Sequence, residues 1–419
     1  MVKKVTIVKQ KSNSKIAIQY GQKKLFKLRA EVNRLYFEDG LSKNAICRIK
    51  RLNKRFVIRW TQSPSQNFSE DHRGWPMGQR RKWTKQTEAK IASVHTALKN
   101  NPRSFYLGAS AIEQQWRRRY PKDKIPPLRT IGQILKDLGL SQHRKTSRRP
   151  GASAYLCYPE YTIYNKIGKR VMEADFVGHK FLAGRTEPLQ FAGFSFKTAP
   201  KFRYFKRIES KGADSLIKSC REVFTKYEKP DAVKIDNAAD YIGSRSGKRN
   251  ISKVMAFLLS KNIYPIFAVP RRPFSQASIE GNNSVFSRKF WNQRMFESLK
   301  DVDKQLGWFN KASLDYTGYQ KPEEREVEHE FVPKVYFLRQ VRDGGNGETG
   351  WIEILNESIT LPAAYISYFV IGQWHLVKEI LTIYIEKNKC LKRIVSVPFR
   401  INEQSRKIFF KGGALSFCI

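Results

Sequence analysis

The chain has 419 residues and a formal net charge of +42, from 79 lysines and arginines against 37 aspartates and glutamates. Its length predicts about two to four domains, and 41% hydrophobic with 13% aromatic residues is typical of a folded protein. So large a basic excess indicates a polyanionic partner. No apolar run reaches the roughly 18 residues of a membrane span, so we expect no membrane partner.

The N-terminal segment shows no apolar signal-peptide core, and we therefore expect a cytoplasmic protein. The five cysteines are scattered without a Cys-x-x-Cys pair, and the six histidines form no closely spaced pair. A structural zinc site normally needs such pairs. The expectation is buried or exposed thiols and solvated imidazoles, with no zinc module.

Residues 1–62 are predicted to form an all-α helix-turn-helix unit. Apolar residues recur near helical spacing up to Gly40, a natural helix end, and Ser42 and Asn53 are suited to begin the next two helices. A helix that reads the major groove must project basic and polar side chains. In the last of these helices those side chains are Lys54, Arg55, Arg59 and Trp60. The alternative is a plain three-helix bundle with a solvated basic face.

Residues 63–82 read as a polar linker, and 83–148 as a second helix-turn-helix unit. In its third helix the predicted DNA-reading residues are Arg129, Thr130 and Gln133. A basic linker at 149–165 follows, and the charges of the run at 143–153 either track phosphates or are merely solvated.

Residues 166–318 alternate between strand-like and helix-like segments, which predicts a mixed α/β core. Asp175 lies within one apolar strand, Asp236 ends another, and Glu280 lies in a helix predicted to start near Ser278. Converging carboxylates suit Mg²⁺, and two such ions about 4 Å apart can clamp a phosphoryl displacement. Glu173 shares the face of Asp175 by period-two alternation, and we interpret it as a surface charge rather than a supporting carboxylate.

The remaining chain reads as a polar, acidic linker at 319–332 and a small β-barrel at 333–419. Short segments rich in Val, Ile, Phe and Tyr, separated by Gly- and Asn-containing turns, predict its strands, the last of them at 407–410.

The carboxylates lie in recognisable segments. Asp236-Asn237-Ala238, and later Pro270, Pro273, Gln276, Ala277 and Glu280, resemble the Asp-Asn-Gly and Pro-x-x-Pro-x-x-Asn-Gly-x-x-Glu segments of DDE transposases and retroviral-type integrases. Two alanines replace the family's glycines and Gln276 replaces its asparagine. Ser284 and Ser287 stand where that family often has a lysine.

This resemblance implies a multidomain protein with helix-turn-helix units, an RNase H-like catalytic core and a C-terminal β-barrel. It implies that Asp175, Asp236 and Glu280 are catalytic and bind Mg²⁺, with Mn²⁺ as a substitute. The basic residues expected to contact DNA beside Glu280 are Arg271, Arg272, Arg288 and Lys289.

The implied function is that of a DNA transposase which binds its element ends and catalyses strand cleavage and strand transfer. Its implied partners are double-stranded DNA, further copies of the chain assembled on that DNA, and a candidate target-selecting ATPase, in a nucleoid-associated location. Two alternatives stay open: a catalytically inactive, transposase-derived sequence-specific DNA-binding protein, and a structure-selective nuclease.

Overall fold

The computed structural model describes residues 13–68, 83–141, 158–238, 247–322, 331–345 and 347–411, without the side chains of 13–24, 273 and 409–411. The chain divides into two compact units, Met1–Thr84 and Lys85–Ile419. Across the described ranges, no helix combines the length and apolarity needed to cross a membrane. The basic run at 143–153 and most of the acidic linker at 319–332 lie outside the described residues.

The described part of the first unit forms three helices: α1 (Asn13–Phe37), α2 (Lys43–Lys50) and α3 (Lys54–Arg59). The predicted helix starts are confirmed, because Ser42 Oγ accepts the N–H of Ala45 (3.3 Å) and Asn53 Oδ1 accepts that of Arg55 (2.8 Å). Gly40 has a φ of 62°, the left-handed conformation that ends α1.

Trp60 was predicted to face the partner, and that prediction is wrong. Its side chain is 5% exposed and packs with Val32, Phe56 and Val57 in the core of the first unit. The guanidinium of Arg29 lies 4.5 Å from its ring centroid. The apolar area of an indole favours the core over the outer face of a short helix.

The second unit begins with α4 (Lys85–Asn100), α5 (Ala109–Arg119) and α6 (Leu128–Asp137), which share a small apolar core. The segment between α4 and α5 anchors these helices to the sheet-bearing part of the unit. Tyr106 stacks on Tyr316 with ring centroids 4.2 Å apart, and its hydroxyl lies 2.9 Å from Ser313 Oγ. Arg203 donates to the same hydroxyl (2.8 Å).

Two β-sheets organise the rest of the second unit. Their described strands are β1 (Val171–Lys180), β2 (Leu189–Phe196), β3 (Phe202–Ile208), β4 (Ala232–Ile235), β5 (Tyr264–Phe267), β6 (Lys334–Gln340), β7 (Arg342–Asp343), β8 (Thr349–Ile354), β9 (Glu357–Pro362), β10 (Phe369–His375), β11 (Ile380–Lys387) and β12 (Cys390–Pro398). The larger, nine-stranded mixed sheet has the order β12-β11-β10-β6-β5-β4-β1-β2-β3, and β7, β8 and β9 form a separate antiparallel sheet.

Helices cover both faces of this sheet. The helices are α7 (Ala213–Lys226), α8 (Lys253–Ser260), α9 (Ala277–Lys289) and α10 (Leu299–Thr317). Shorter helical turns are Glu160–Thr162, Ile163–Ile167, Pro273–Gln276, Trp291–Gln293, Ala363–Tyr365, Glu403–Ser405 and Arg406–Lys411. Strand residues alternate between the faces, so Met172 and Ala174 pack in the core that includes α7 and α8. Their neighbours Glu173 and Asp175 therefore face α9.

Strand β3 is an edge strand of the sheet, and helix α10 covers it. Asn310 Nδ2 donates to the carbonyl of Phe205 (2.7 Å), and Asn310 Oδ1 accepts its N–H (2.9 Å). This side chain satisfies an edge-strand donor and acceptor that would otherwise face another chain.

The predicted C-terminal barrel is not confirmed. Strand β6 pairs in parallel with β5, at Ile266↔Tyr336 and Phe267↔Phe337, and β10 to β12 extend the core sheet further. The strand predicted at 407–410 is wrong, since residues Arg406–Lys411 form a π-helical turn. Pairing between β5 and β6 joins segments far apart in sequence, which a local pattern of apolar residues does not reveal.

Candidate active site

The strand register brings the two aspartates together. Strands β1 and β4 are parallel neighbours paired at Met172↔Val233 and Glu173↔Lys234. Asp175 lies two residues after Glu173 on β1, and Asp236 follows the last residue of β4, so the pairing brings the two aspartates near each other, with Asp175 on the same face of the sheet as Glu173. Helix α9, with Glu280 in its first turn, packs on that face.

Asp175 is half-buried, and its carboxylate is bonded on both oxygens. Its Oδ1 accepts the N–H of Phe176 (2.8 Å), and its Oδ2 accepts from Asn283 Nδ2 (3.1 Å) on α9. Burial, followed by the charges of Asp236 and Glu280, raises the pKa of Asp175 to about 6, against the two hydrogen bonds, which lower it. The three carboxylates thus share one electrostatic environment, in which negative charges repel.

The other two carboxylates differ in their surroundings. Asp236 Oδ1 accepts the N–H of Ala238 (2.9 Å), a local turn at the end of β4. The neighbouring Asn237 donates through Nδ2 to the carbonyl of Ala268, which connects the ends of β4 and β5. Glu280 is exposed. Two of the carboxylates are therefore held by the sheet, while the third faces solvent from the helix.

The donor chemistry suits a divalent cation, but the side chains do not form a closed cluster. Oxygen donors with crowded negative charge are what Mg²⁺ or Mn²⁺ requires, and a cation would relieve the repulsion on Asp175. Within the described residues, however, no three His, Cys, Asp or Glu side chains group closely enough to hold a metal ion. Asp175 and Asp236 instead accept protein N–H groups. Because each carboxylate oxygen has two lone pairs, these carboxylates can keep their N–H donors and still bind a cation.

Two residues before the aspartates, Glu173 on β1 and Lys234 on β4 form a buried ion pair. Both side chains are 1% exposed, with Lys234 Nζ 3.5 Å from Glu173 Oε1. Tyr164 donates to the same oxygen (2.6 Å), the N–H of Ile279 donates to Glu173 Oε2 (3.0 Å), and Lys234 donates to the carbonyl of Ser275. Burial lowers the pKa of Lys234 and raises that of Tyr164.

The interpretation of Glu173 as a surface charge is therefore wrong. This carboxylate caps the first turn of α9, next to Glu280, and ties that turn to both aspartate-bearing strands. Sequence reasoning also missed Lys234, although a lysine in an otherwise apolar strand opposite a period-two carboxylate was a usable signal.

Helix α9 approaches β2 closely because residue 193 is glycine. Gly193 pairs with Asp175 across the sheet, and a Cβ there would come within 3.0 Å of Phe205 and 3.1 Å of Asn283 and Ile279. The missing side chain lets Asn283 reach Asp175. Asn283 is a second functional candidate that the sequence analysis missed.

The predicted DNA-reading residues lie on the helices expected. Lys54, Arg55 and Arg59 are exposed on α3. Arg129 and Thr130 begin α6, and the exposed Gln133 one turn later is already bonded to Asp137 (2.6 Å). Whether these side chains contact DNA stays a prediction.

The basic residues around Glu280 separate into two places. Arg271 and Arg272 are exposed in the turn after β5. Arg288 and Lys289 lie in the last turn of α9, about 12 Å along the helix from Glu280, with Arg288 Nε donating to Ser284 Oγ (3.2 Å). Lys180, at the end of β1, also reaches α9 by donating to Ser287 Oγ (2.9 Å), and burial lowers its pKa.

No family model and no curated protein matches the sequence. A simian T-cell lymphotropic virus intasome in complex with the PP2A regulatory subunit B56 gamma is similar at 11% identity and a TM-score of 0.31, over 74% of this chain and 97% of that one. The Mos1 strand transfer complex is similar at 11% identity and a TM-score of 0.27, over 70% and 92%. With TM-scores this low, neither the fold nor the function of those proteins transfers to this chain.

Proposed function

We propose that this protein is a DNA transposase of the DDE type, which cleaves DNA strands and transfers their 3′ ends with the help of Mg²⁺. The observation that supports the proposal is that Asp175 on β1, Asp236 after β4 and Glu280 on the helix over them lie near enough for the charges of Asp236 and Glu280 to raise the pKa of Asp175. The net charge of +42 supports DNA as the substrate.

The chain's own residues hold and orient the reacting groups in this proposal. Asp175, Asp236 and Glu280 would bind the cations, and Asn283 holds the carboxylate of Asp175. Glu173 and Lys234 maintain the spacing between β1, β4 and the first turn of α9. Divalent cations held there would supply Lewis-acid activation of a water or a DNA 3′-hydroxyl and stabilisation of the leaving 3′-oxygen. No side-chain nucleophile is needed.

The test replaces each carboxylate by its amide: Asp175→Asn, Asp236→Asn and Glu280→Gln. Each variant should lose Mg²⁺-dependent strand cleavage while DNA binding stays close to wild type, because an amide keeps the shape and loses the charge that binds the metal. Glu187→Gln is the matched control, since this carboxylate is 85% exposed and lies outside the site. Substantial cleavage by any of the three variants would remove that residue from the site.

A second measurement separates the transposase from an inactive, DNA-binding relative. The open arrangement of the carboxylates favours testing this alternative directly. Mn²⁺ added to the full-length protein should raise its melting temperature, as a ligand that binds only the folded state does, and should not do so in Asp236→Asn. Equal shifts in both proteins, together with absent cleavage, would favour the inactive DNA-binding protein.

A further inference from the structure

A cavity lies at the carboxyl ends of the central strands β4, β5 and β6, next to Asp236. Its volume is about 450 Å³, within the range typical of small-ligand pockets. Its lining comes from the residue after Asp236, the turn after β5, strands β6 and β7, and the turn between β8 and β9. Its polar lining residues include Asn237, Arg271, Arg272, Arg339, Arg342 and Glu353.

Four of these lining residues are arginines, and the cavity is correspondingly cationic. Among the described residues that line the cavity, Glu353 is the single carboxylate, and its charge acts to raise the pKa of Arg339. Arg272 Nη2 donates to Gln340 Oε1 (3.0 Å), and the guanidinium of Arg342 lies 5.2 Å from the ring centroid of Trp351. These contacts orient the guanidinium groups and leave their charges uncompensated.

Arg339 forms the buried wall of this cavity. Its side chain is 6% exposed, and it donates through Nε to the carbonyl of Glu353 (2.7 Å) and through Nη1 to that of Leu338 (2.8 Å). Burial lowers the pKa of Arg339 to about 9. One carboxylate, Glu353, faces Arg339 together with the charge of Arg342, which lowers its pKa further, so an anionic occupant would offset part of the cost of burying this guanidinium.

The cavity also offers a hydrogen-bond acceptor. Asn237, which lines the cavity, has a buried Oδ1 without a hydrogen-bond partner among the described residues, and a buried polar atom in that state is destabilising. An occupant that carries a donor beside its negative charge would satisfy it. Phosphate and nucleobase together have this combination.

The backbone around the cavity has positive φ angles in two places. Leu355 (49°) and Asn356 (61°) form the two-residue turn between β8 and β9, for which positive φ angles are the favoured geometry. Arg271, with a φ of 57°, is the strained position, because a side chain of this kind rarely adopts that region.

We propose that this arginine-lined cavity binds one nucleotide of a DNA strand, with the phosphate on Arg339 and Arg342 and the base toward Asn237. A phosphate alone would leave most of the volume empty, whereas a nucleotide fills it. The identity of the polymer rests on the proposed function. The preference for a phosphate-bearing ligand rests on the cavity itself.

The test compares Arg342→Gln with Arg393→Gln in the full-length protein. Both residues are exposed arginines, but Arg393 lies on β12 outside the cavity, so the two variants lose the same charge. Binding of a single-stranded oligonucleotide of about 12 nucleotides is measured without divalent metal over a salt series. Loss of one phosphate contact should lower the slope of log affinity against log salt by about 0.7 in Arg342→Gln and leave it unchanged in Arg393→Gln.

A crosslink locates the contact independently of affinity. Oligonucleotides carrying 5-bromodeoxyuridine should crosslink on irradiation within 337–356 or 267–272, and less in Arg342→Gln. Equal slopes in the two variants, or crosslinks confined to other segments, would overturn the proposal. If deoxyadenosine monophosphate binds at these segments and the oligonucleotide does not compete with it, the cavity binds free nucleotides and the assignment to DNA is wrong.

The outcomes separate this proposal from the proposed function. If the wild type cleaves DNA but Arg342→Gln and Arg393→Gln bind the oligonucleotide with the same salt dependence, the transposase proposal stands and the nucleotide site is wrong. If no divalent metal supports cleavage, but the crosslink and the change in salt dependence of Arg342→Gln are as expected, the nucleotide site stands and the transposase proposal is wrong.

Discussion

The buried ion pair beneath the aspartates gives the most demanding stability prediction. Lys234→Met keeps an unbranched side chain, one atom shorter, and leaves Glu173 buried without its cation. Removing one partner of a buried pair costs about 3–5 kcal/mol. Because Glu173 keeps the donors of Tyr164 and Ile279, we expect the lower end of that range, about 3 kcal/mol.

A double-mutant cycle isolates the pair from these other contacts. Once Lys234 is methionine, Glu173→Gln removes an uncompensated charge, so it should cost much less than it does in the wild type. We expect a coupling free energy of about 2 kcal/mol or more, measured by urea unfolding with an unchanged m-value. The control pair is Arg207 and Asp303, joined by two hydrogen bonds of 2.7 Å but 27% and 46% exposed, with an expected coupling below about 1 kcal/mol.

The same variants should affect catalysis through position. Glu173 accepts donors on both oxygens, from Tyr164 and from the N–H of Ile279, the residue before Glu280. The amide of Glu173→Gln would place its NH₂ against one of these donors and should therefore shift the first turn of α9. A displacement of about 1 Å can lower a rate about a hundredfold, and DNA binding should not change. A coupling no larger than that of the control pair, or wild-type cleavage by Glu173→Gln, would refute this reasoning.

Three further predictions concern pH, recognition and assembly. The pKa of Asp175 is raised from 3.8 to about 6 in the folded protein, so its stabilising contribution is complete below pH 3.8 and lost as pH rises through 6. Metal-free Asp175→Asn should therefore be more stable than wild type at pH 8, by at most about 3 kcal/mol, and lose that advantage near pH 4; equal unfolding curves at pH 8 would contradict this. Arg59→Gln and Arg129→Gln should each weaken binding to element ends by about 1–3 kcal/mol relative to random duplex, in a competition assay where a uniform loss on both DNAs would argue against base reading. Chains carrying Asp236→Asn, mixed with chains impaired in end binding, should regain partial activity in a DNA-bound dimer or tetramer, and light scattering of a one-chain complex that still joins paired ends would exclude this assembly.

Local sequence determined the elements that carry the candidate site. The helix starts at Ser42 and Asn53 depend on one side chain and the next few N–H groups, and they formed as predicted. The apolar runs around Asp175 and Asp236 became strands, and the helix of Glu280 began within one residue of its predicted start. Contacts of this kind span a few residues, so the order of residue types is enough to indicate them.

Tertiary structure decided what those elements face. Glu173 and Lys234 are charged residues in strands, and only the pairing of β1 with β4 under α9 shows that they neutralise each other in the core. Likewise, β6 joins β5 across a long stretch of chain, which places Arg339 and Arg342 beside Asn237. Such pairings depend on the free energy of burying whole faces of the sheet, a quantity that no short segment of this sequence contains.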